Sequence, residues 1–245
     1  MTHLSVNLNK IALIRNARSL DIPNVIKAAK TCIAAGAYGI TIHPRPDERH
    51  IRYSDVYDLK PVVSSVEYNI EGNPFTGKFM DLMPDIRPTQ ATLVPDMPGA
   101  ITSDHGWDLN PENCQRLIPV INKLKSLGIR ASLFVDPVIE TVEMAKKIGA
   151  DRIELYTEPF ASAFASKKNL ESLTAKFAAA AKHAAEIGLG VNAGHDLSLD
   201  NLGFFCKNVK PVMEVSIGHA LIADAIDMGL SDAVKEYIKI LEDCG

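Results

Sequence analysis

His43, Glu71, His195 and His219 each fall at, or just beyond, the C-terminal end of a short apolar run. Imidazoles titrate near neutrality, and a carboxylate closing an apolar strand is partly desolvated, which raises its pKa toward the range of a useful base. Together these types suit repeated proton transfer. Cations stand close by in sequence. His43 runs into Pro44-Arg45-Pro46-Asp47-Glu48-Arg49-His50, where Arg45 offers a planar fork of donors to a phosphate and His50 a further grip. Gly194-His195 and Gly218-His219 place glycine before histidine at two strand-to-helix junctions, where backbone N–H groups can bind an anion. Asn7, Asn9 and Lys10 close the first strand, with Arg15 and Arg18 beyond. Lys10 fits a phosphate contact or an exposed position better than a Schiff base. Taken singly, residues 43–50 read equally well as a solvated charged loop, and Glu71 as a strand-end carboxylate paired with an arginine.

Such groups act together only if the chain gathers its strand ends. Strand patterns occupy Leu4–Leu8, Gly39–His43, Val66–Glu71, Gln90–Val94, Arg130–Val135, Arg152–Tyr156, Gly190–Ala193 and Met213–Ile217, bounded mostly by Gly, Pro, Asp or Asn. Helical patterns separate them. Asp21 with Pro23 opens one, Ile26, Ala29 and Ile33 form its face, and Gly36 stops it. Leu173, Phe177, Ala180, Ala184 and Ile187 keep the same spacing before Gly188. Glycine also precedes the strands after Gly128 and Gly149. This alternation predicts parallel βαβ units. Eight strands without a Gly-rich loop after the first favour an α/β (β/α)8 TIM barrel over an open doubly wound sheet. The expectation is one domain over residues 1–245, with an extra terminal helix over Ser231–Cys244 outside the barrel core. His3 and His183 fall outside the mouth of such a barrel, and Pro95–Asp108, with His105, reads as a lid.

The 245 residues carry a formal net charge of −4, which suggests neither a nucleic-acid nor an anionic-membrane partner. No run approaches the apolar length that spans a bilayer, and the N-terminus lacks the pattern of a signal peptide. Cys32, Cys114, Cys206 and Cys244 are scattered without metal-like spacing, as expected of reduced thiols in a cytoplasmic protein. His43, Glu71 and His195 could ligate zinc, but no metal-binding motif is present, so no metal is assigned.

The chain resembles the pyridoxine 5'-phosphate synthase family. The resemblance covers nearly its whole length and rests on Ser5-Val6-Asn7, Arg15-Asn16-Ala17-Arg18, Gly39-Ile40-Thr41-Ile42-His43, Asp47-Glu48-Arg49-His50-Ile51, Leu93-Val94-Pro95, Val191-Asn192-Ala193-Gly194-His195 and Ile217-Gly218-His219-Ala220. It implies condensation of 3-amino-2-oxopropyl phosphate with 1-deoxy-D-xylulose 5-phosphate to give pyridoxine 5'-phosphate, phosphate and water, a transferase-type ring closure in vitamin B6 biosynthesis. No cofactor and no metal are implied, and the assembly implied is a homo-octamer. By position, His43 and Glu71 are similar to the family's proton acceptors and His195 to its proton donor. Asn7, Arg18, Gly218 and His219 resemble contacts to the aminoketone phosphate, and Arg45, His50 and Thr102 contacts to the deoxyxylulose phosphate. Three features depart from the usual pattern. Asn9-Lys10 replaces Asp-His, with Lys10 expected to contact sugar phosphate or hydroxyl. Asp196 stands where glycine is common, leaving a backbone N–H to bind substrate and a carboxylate that must point away from it. The segment Tyr68–Pro74 also differs. Alternatives of other kinds are a phosphosugar aldolase or isomerase barrel, and a non-catalytic barrel that binds phosphate or vitamin B6 phosphate.

Overall fold

The computed structural model describes residues 1–96 and 103–244. Its strands are β1 His3–Asn7, β2 Gly39–Ile42, β3 Glu67–Gly72, β4 Gln90–Leu93, β5 Arg130–Val135, β6 Arg152–Tyr156, β7 Gly190–Gly194 and β8 Glu214–Ile217. They pair in parallel, in sequence order, and β8 returns to β1 to close the barrel. The expected strand limits hold to within a residue at each end. Helices on the first half are α1 Asn9–Asn16, α2 Val25–Ala34, α3 Tyr53–Leu59, α4 Phe79–Ile86 and α5 Pro111–Ser126. The second half carries α6 Ile139–Lys147, α7 Glu158–Ser166, α8 Leu170–Glu186, α9 Leu202–Asn208, α10 His219–Met228 and α11 Leu230–Glu242.

Alternation along the strands separates two environments. The outward set, including Val6, Ile40, Ile42, Ile70, Leu133, Ile153 and Val215, is fully buried beneath the helices. The inward set is polar: Ser5, Thr41, Asn69, Thr92, Glu154 and Asn192 are also buried, and they bond to one another across the lumen. Bulky branched side chains commonly fill this space in such barrels. Here hydrogen bonds do, with Gln90 receiving the amides of Asn192 and the guanidinium of Arg130 on one oxygen.

The outer layer follows its sequence signals, with one shift. Asn24, not Asp21, caps α2, its side chain accepting from the Lys27 backbone N–H at 2.8 Å. Asp21 instead accepts from the Asn24 amide, which draws Pro23 out of the first turn. The buried stripe of α2 is therefore Val25, Ala28, Ala29 and Cys32, while Ile26 and Ile33 pack at its margin. Gly36, Gly128, Gly149 and Gly188 have positive φ at helix ends, as expected. The terminal helix α11 lies outside the strands but inside the helical layer. It packs on α2, α9, α10 and β1 through Ala233, Val234, Tyr237 and Leu241. His3 stacks on Tyr38 at the N-terminal end of the barrel, and His183 pairs with Glu143 on the surface. All four cysteines are buried and none is in a disulfide. Among the described residues no helix is long and apolar enough to cross a membrane.

Candidate active site

The C-terminal strand ends surround one cavity of about 570 Å³. Every candidate residue except Arg18 and Thr102 lines it. Arg18 is exposed beyond α1 and is not part of the lining, and Thr102 lies outside the described residues. Residues 97–102 of the stretch expected to form a lid share that limit. The far end of that stretch is anchored: Trp107 is buried, its Nε1 donating to the Leu93 carbonyl at 2.9 Å and its backbone N–H to Phe134.

His43 and Glu71 face each other from neighbouring strands, with His43 Nδ1 3.8 Å from Glu71 Oε2. Polar contacts from the end of β1 set both. Asn7 Nδ2 donates to Glu71 Oε2 at 3.3 Å, and Asn9 Oδ1 accepts the His43 backbone N–H at 2.9 Å. Asn9 thus serves the protein framework through its amide oxygen. Burial pushes the Glu71 carboxyl up to about 8, with the Asp96 carboxylate adding to the rise and Arg45 opposing it. Burial, then Arg45 and His50, hold His43 well below the ordinary histidine value. At neutral pH His43 is a neutral ring able to accept a proton.

The loop that carries Arg45 and His50 rests on a buried ion pair. Arg15 of α1 grips Asp55 of α3 through both terminal guanidinium nitrogens and also donates to the His50 carbonyl at 3.0 Å. Asn16 donates to the same carbonyl at 2.8 Å. His50 Nδ1 accepts the Ile51 N–H, so the neutral ring carries its proton on Nε2. Burial and the neighbouring Arg45 and Arg49 press its pKa down to about 4. His50 therefore presents a neutral Nε2–H donor to the cavity beside Arg45.

Across the mouth, His195 follows β7 with φ of +89° and Asp196 with φ of +58°, both in the left-handed region that non-glycine residues seldom enter. Thr157 holds this turn, its Oγ1 donating to the carbonyls of Gly194 and His195. The Asp196 carboxylate lies against His195 Nδ1 at 2.9 Å. That bond holds its pKa below the usual carboxylate value. The extra acid is therefore turned onto the histidine. The expected helix does not start here, since α9 begins at Leu202; α10 does begin directly at His219. Nor do the two glycines serve ligand approach alone. A Cβ on Gly194 would fall 2.5 Å from Glu154 Oε1, and one on Gly218 3.1 Å from the Asn7 Cβ.

Two acids escape the sequence reading. Glu154 is buried in the lumen and lines the cavity, its pKa raised well above the carboxylate value by burial and then by Glu71 and Glu214. It sits inside a strand rather than at its end, and only the inward alternation of β6 betrays it. Asp96 follows Leu93-Val94-Pro95, where the strand-end rule that selects Glu71 applies equally. Val94, Phe134 and Tyr156 form a separate apolar cluster, and the Tyr156 ring stands edge-on to His195 at 5.3 Å. Among the described residues no group of His, Cys, Asp and Glu is arranged to hold a metal ion.

The model of a family described as pyridoxal phosphate biosynthesis protein PdxJ matches residues 4–243. A pyridoxine 5'-phosphate synthase of Bacteroides thetaiotaomicron is 56% identical over 237 residues, covering 97% of this chain and 98% of the relative. One of Christiangramia forsetii is 53% identical over 242 residues, covering 99% and 100%. Solved structures agree in fold alone. Tryptophan synthase from M. tuberculosis superposes with a TM-score of 0.66 at 12% identity, over 98% of this chain and 92% of that one. Phosphoribosylanthranilate isomerase from Thermotoga maritima gives 0.58 at 14%, over 99% and 100%.

Proposed function

Because this chain belongs to the PdxJ family of pyridoxal phosphate biosynthesis proteins, we propose that its cavity makes pyridoxine 5'-phosphate by acid–base catalysis through His43, Glu71 and His195. The chain is an enzyme of vitamin B6 biosynthesis, and that much follows from its family. The reading of the site is carried by one observation: a single cavity collects two imidazoles, a desolvated carboxyl and the Arg45–His50 anion site.

The substrates are taken as 3-amino-2-oxopropyl phosphate and 1-deoxy-D-xylulose 5-phosphate. Arg45 and His50 hold the phosphate of the second, which leaves as inorganic phosphate, while Asn7, Gly218 and His219 receive the first. The amine attacks the ketone and water departs, with Glu71 accepting a proton in these early steps. Neutral His43 abstracts the proton that drives elimination and closure, and His195 protonates a leaving oxygen. With Nδ1 engaged by Asp196, transfer from His195 runs through Nε2. The apolar wall of Val94 and Phe134 keeps water from the intermediates. Purified protein mixed with both substrates should form pyridoxine 5'-phosphate, seen by absorbance and mass, and omission of either substrate should abolish it. A native reaction with one substrate alone would refute the assignment.

Two smaller effects follow. Lys10→Ala is expected to raise the apparent KM for deoxyxylulose phosphate by about tenfold, the worth of one hydrogen bond to a charged group. An unchanged KM would remove Lys10 from the substrate site. Asp196→Asn is expected to lower kcat by about tenfold while leaving both KM values near native, because its carboxylate holds His195 through Nδ1. A fall confined to affinity would instead make Asp196 a substrate contact. The assembly is proposed to be a homo-octamer in the cytoplasm. Exposed Ile14 on α1 and Ile226 on α10 supply apolar surface for contacts between copies, and light scattering on the purified protein reads the mass directly.

A further inference from the structure

Asp96 stands between the proposed anion site and the proton-transfer groups, beyond the β4 strand end after Val94 and Pro95, and is buried. Its Oδ2 receives the Arg45 guanidinium in an ion pair, and the Ser103 hydroxyl donates to the same oxygen at 3.0 Å. The Asn73 amide donates to its backbone carbonyl at 3.0 Å, which fixes the residue in place. That same Oδ2 lies 4.0 Å from His43 Nε2. On its other edge, His43 Nδ1 is 3.8 Å from Glu71. The ring of the base therefore sits between two carboxylates, one of which is paired with the guanidinium that a phosphate would claim.

A phosphate dianion and a carboxylate compete for the same fork of guanidinium donors. If the phosphate takes Arg45, Asp96 becomes a buried charge without its cation, a costly state that a neighbouring group must relieve. Bringing its oxygen from 4.0 Å into hydrogen-bond range of His43 Nε2 takes a movement of only about 1 Å. We propose that Asp96 is a positioning residue with an exchangeable partner, holding Arg45 ready for a substrate phosphate and turning its carboxylate onto His43 Nε2 once the phosphate has taken the guanidinium. Phosphate binding thereby turns on the base.

The charges around His43 fit this exchange. From its own loop Arg45, Arg49 and His50 disfavour the imidazolium and Asp47 favours it; Glu71 faces it from β3 and Asp96 from the end of β4. The β1 side offers the neutral amides of Asn7 and Asn9. Arg45 is the largest of the charges that hold His43 down. A phosphate on Arg45 cancels that charge while freeing the Asp96 carboxylate, and both changes make His43 a stronger base.

The inference rests on the reading that Arg45 binds phosphate and His43 accepts a proton, so its test begins without turnover. Inorganic phosphate is titrated calorimetrically into the wild type, Asp96→Asn and Asp96→Glu. Asp96→Asn is expected to bind it on the order of tenfold more tightly, since the competitor for Arg45 has lost its charge. Asp96→Glu should stay near wild type and report that the fold tolerates the site. In parallel, the His43 ring titration is followed by NMR, assigned by its loss in His43→Gln. Saturating phosphate should move its midpoint up in the wild type, and by less than half as much in Asp96→Asn. In the complete reaction Asp96→Asn should lower both KM for deoxyxylulose phosphate and kcat, whereas simple damage to the site raises KM. Weaker phosphate binding by Asp96→Asn, or an equal shift of His43 in both proteins, overturns the exchange while leaving the proposed activity intact. A wild type that makes product yet does not bind phosphate through Arg45, tested with Arg45→Gln, overturns the anion-site reading and the exchange with it.

Discussion

Replacing Glu71 with glutamine is expected to cut the rate of product formation by about 10²–10⁴, the usual worth of a positioned acid or base. Glutamine keeps the shape of the side chain and an oxygen for the Asn7 amide, so the loss reports proton transfer rather than collapse of the site. The pH profile sharpens the test. An acceptor must be ionised, and the Glu71 carboxyl is pushed up to about 8. As pH rises from 6 toward 8 its ionised fraction grows, and kcat/KM of the wild type should climb about tenfold per unit before levelling. His43, held well below its ordinary value, is already neutral across that window and adds no limb of its own there. In Glu71→Gln the climb should vanish along with the rate. A native rate in the variant, or an unchanged climb, would take Glu71 out of the chemistry and leave it a strand-end carboxylate.

The architecture was legible because each rule it needs is local. Glycine after a helix, apolar runs of strand length, and a proton-transfer residue closing several of them all recur along the chain, and together they imply closure. The geometry of the site was legible only where a residue acts from a strand end. Asp196 shows the limit. The sequence places a carboxylate beside His195, but whether it turns toward that ring depends on two successive left-handed residues and on Thr157, just beyond the end of β6. Asn9 shows another, since its bond to the His43 backbone joins residues 34 positions apart. The polar lumen was open to inspection and passed over. Ser5-Val6-Asn7, Glu67-Tyr68-Asn69-Ile70-Glu71 and Glu214-Val215-Ser216-Ile217 alternate strictly, and a buried barrel with apolar helices outside has only its interior left for the polar half.

That lumen makes the stability of the protein depend on pH in an unusual direction, and Glu214→Gln should expose it. Glu214 opens β8 facing inward, buried, with Oε2 3.7 Å from Arg152 Nη1 and in no hydrogen bond among the described residues. Arg152 Nη1 also donates to Asn192 at 3.0 Å, so it keeps a partner if the carboxylate is lost. Burial, then Glu67, push the Glu214 carboxyl up to about 7 against the pull of Arg152 and Arg130. A pKa raised on folding means that the proton is held more tightly in the native state. Below the unfolded value near 4.5 both states carry it and the full stability is present. Between there and about 7 the unfolded chain releases it first, so native stability falls by about 1.4 kcal/mol per unit, roughly 3 kcal/mol in all. Glutamine never pays this penalty. Glu71 and Glu154 also titrate upward in both proteins, and Glu214 helps to raise each of them, so the difference between variant and wild type reads Glu214 together with its repulsion of these two acids. Urea unfolding at pH 5 and pH 8 should therefore show Glu214→Gln close to the wild type at the lower pH. At the higher pH its advantage should be greater by roughly 3 kcal/mol. A difference that stays flat between the two would mean that Glu214 is ionised in the native lumen throughout, with Arg130 and Arg152 fully offsetting its burial.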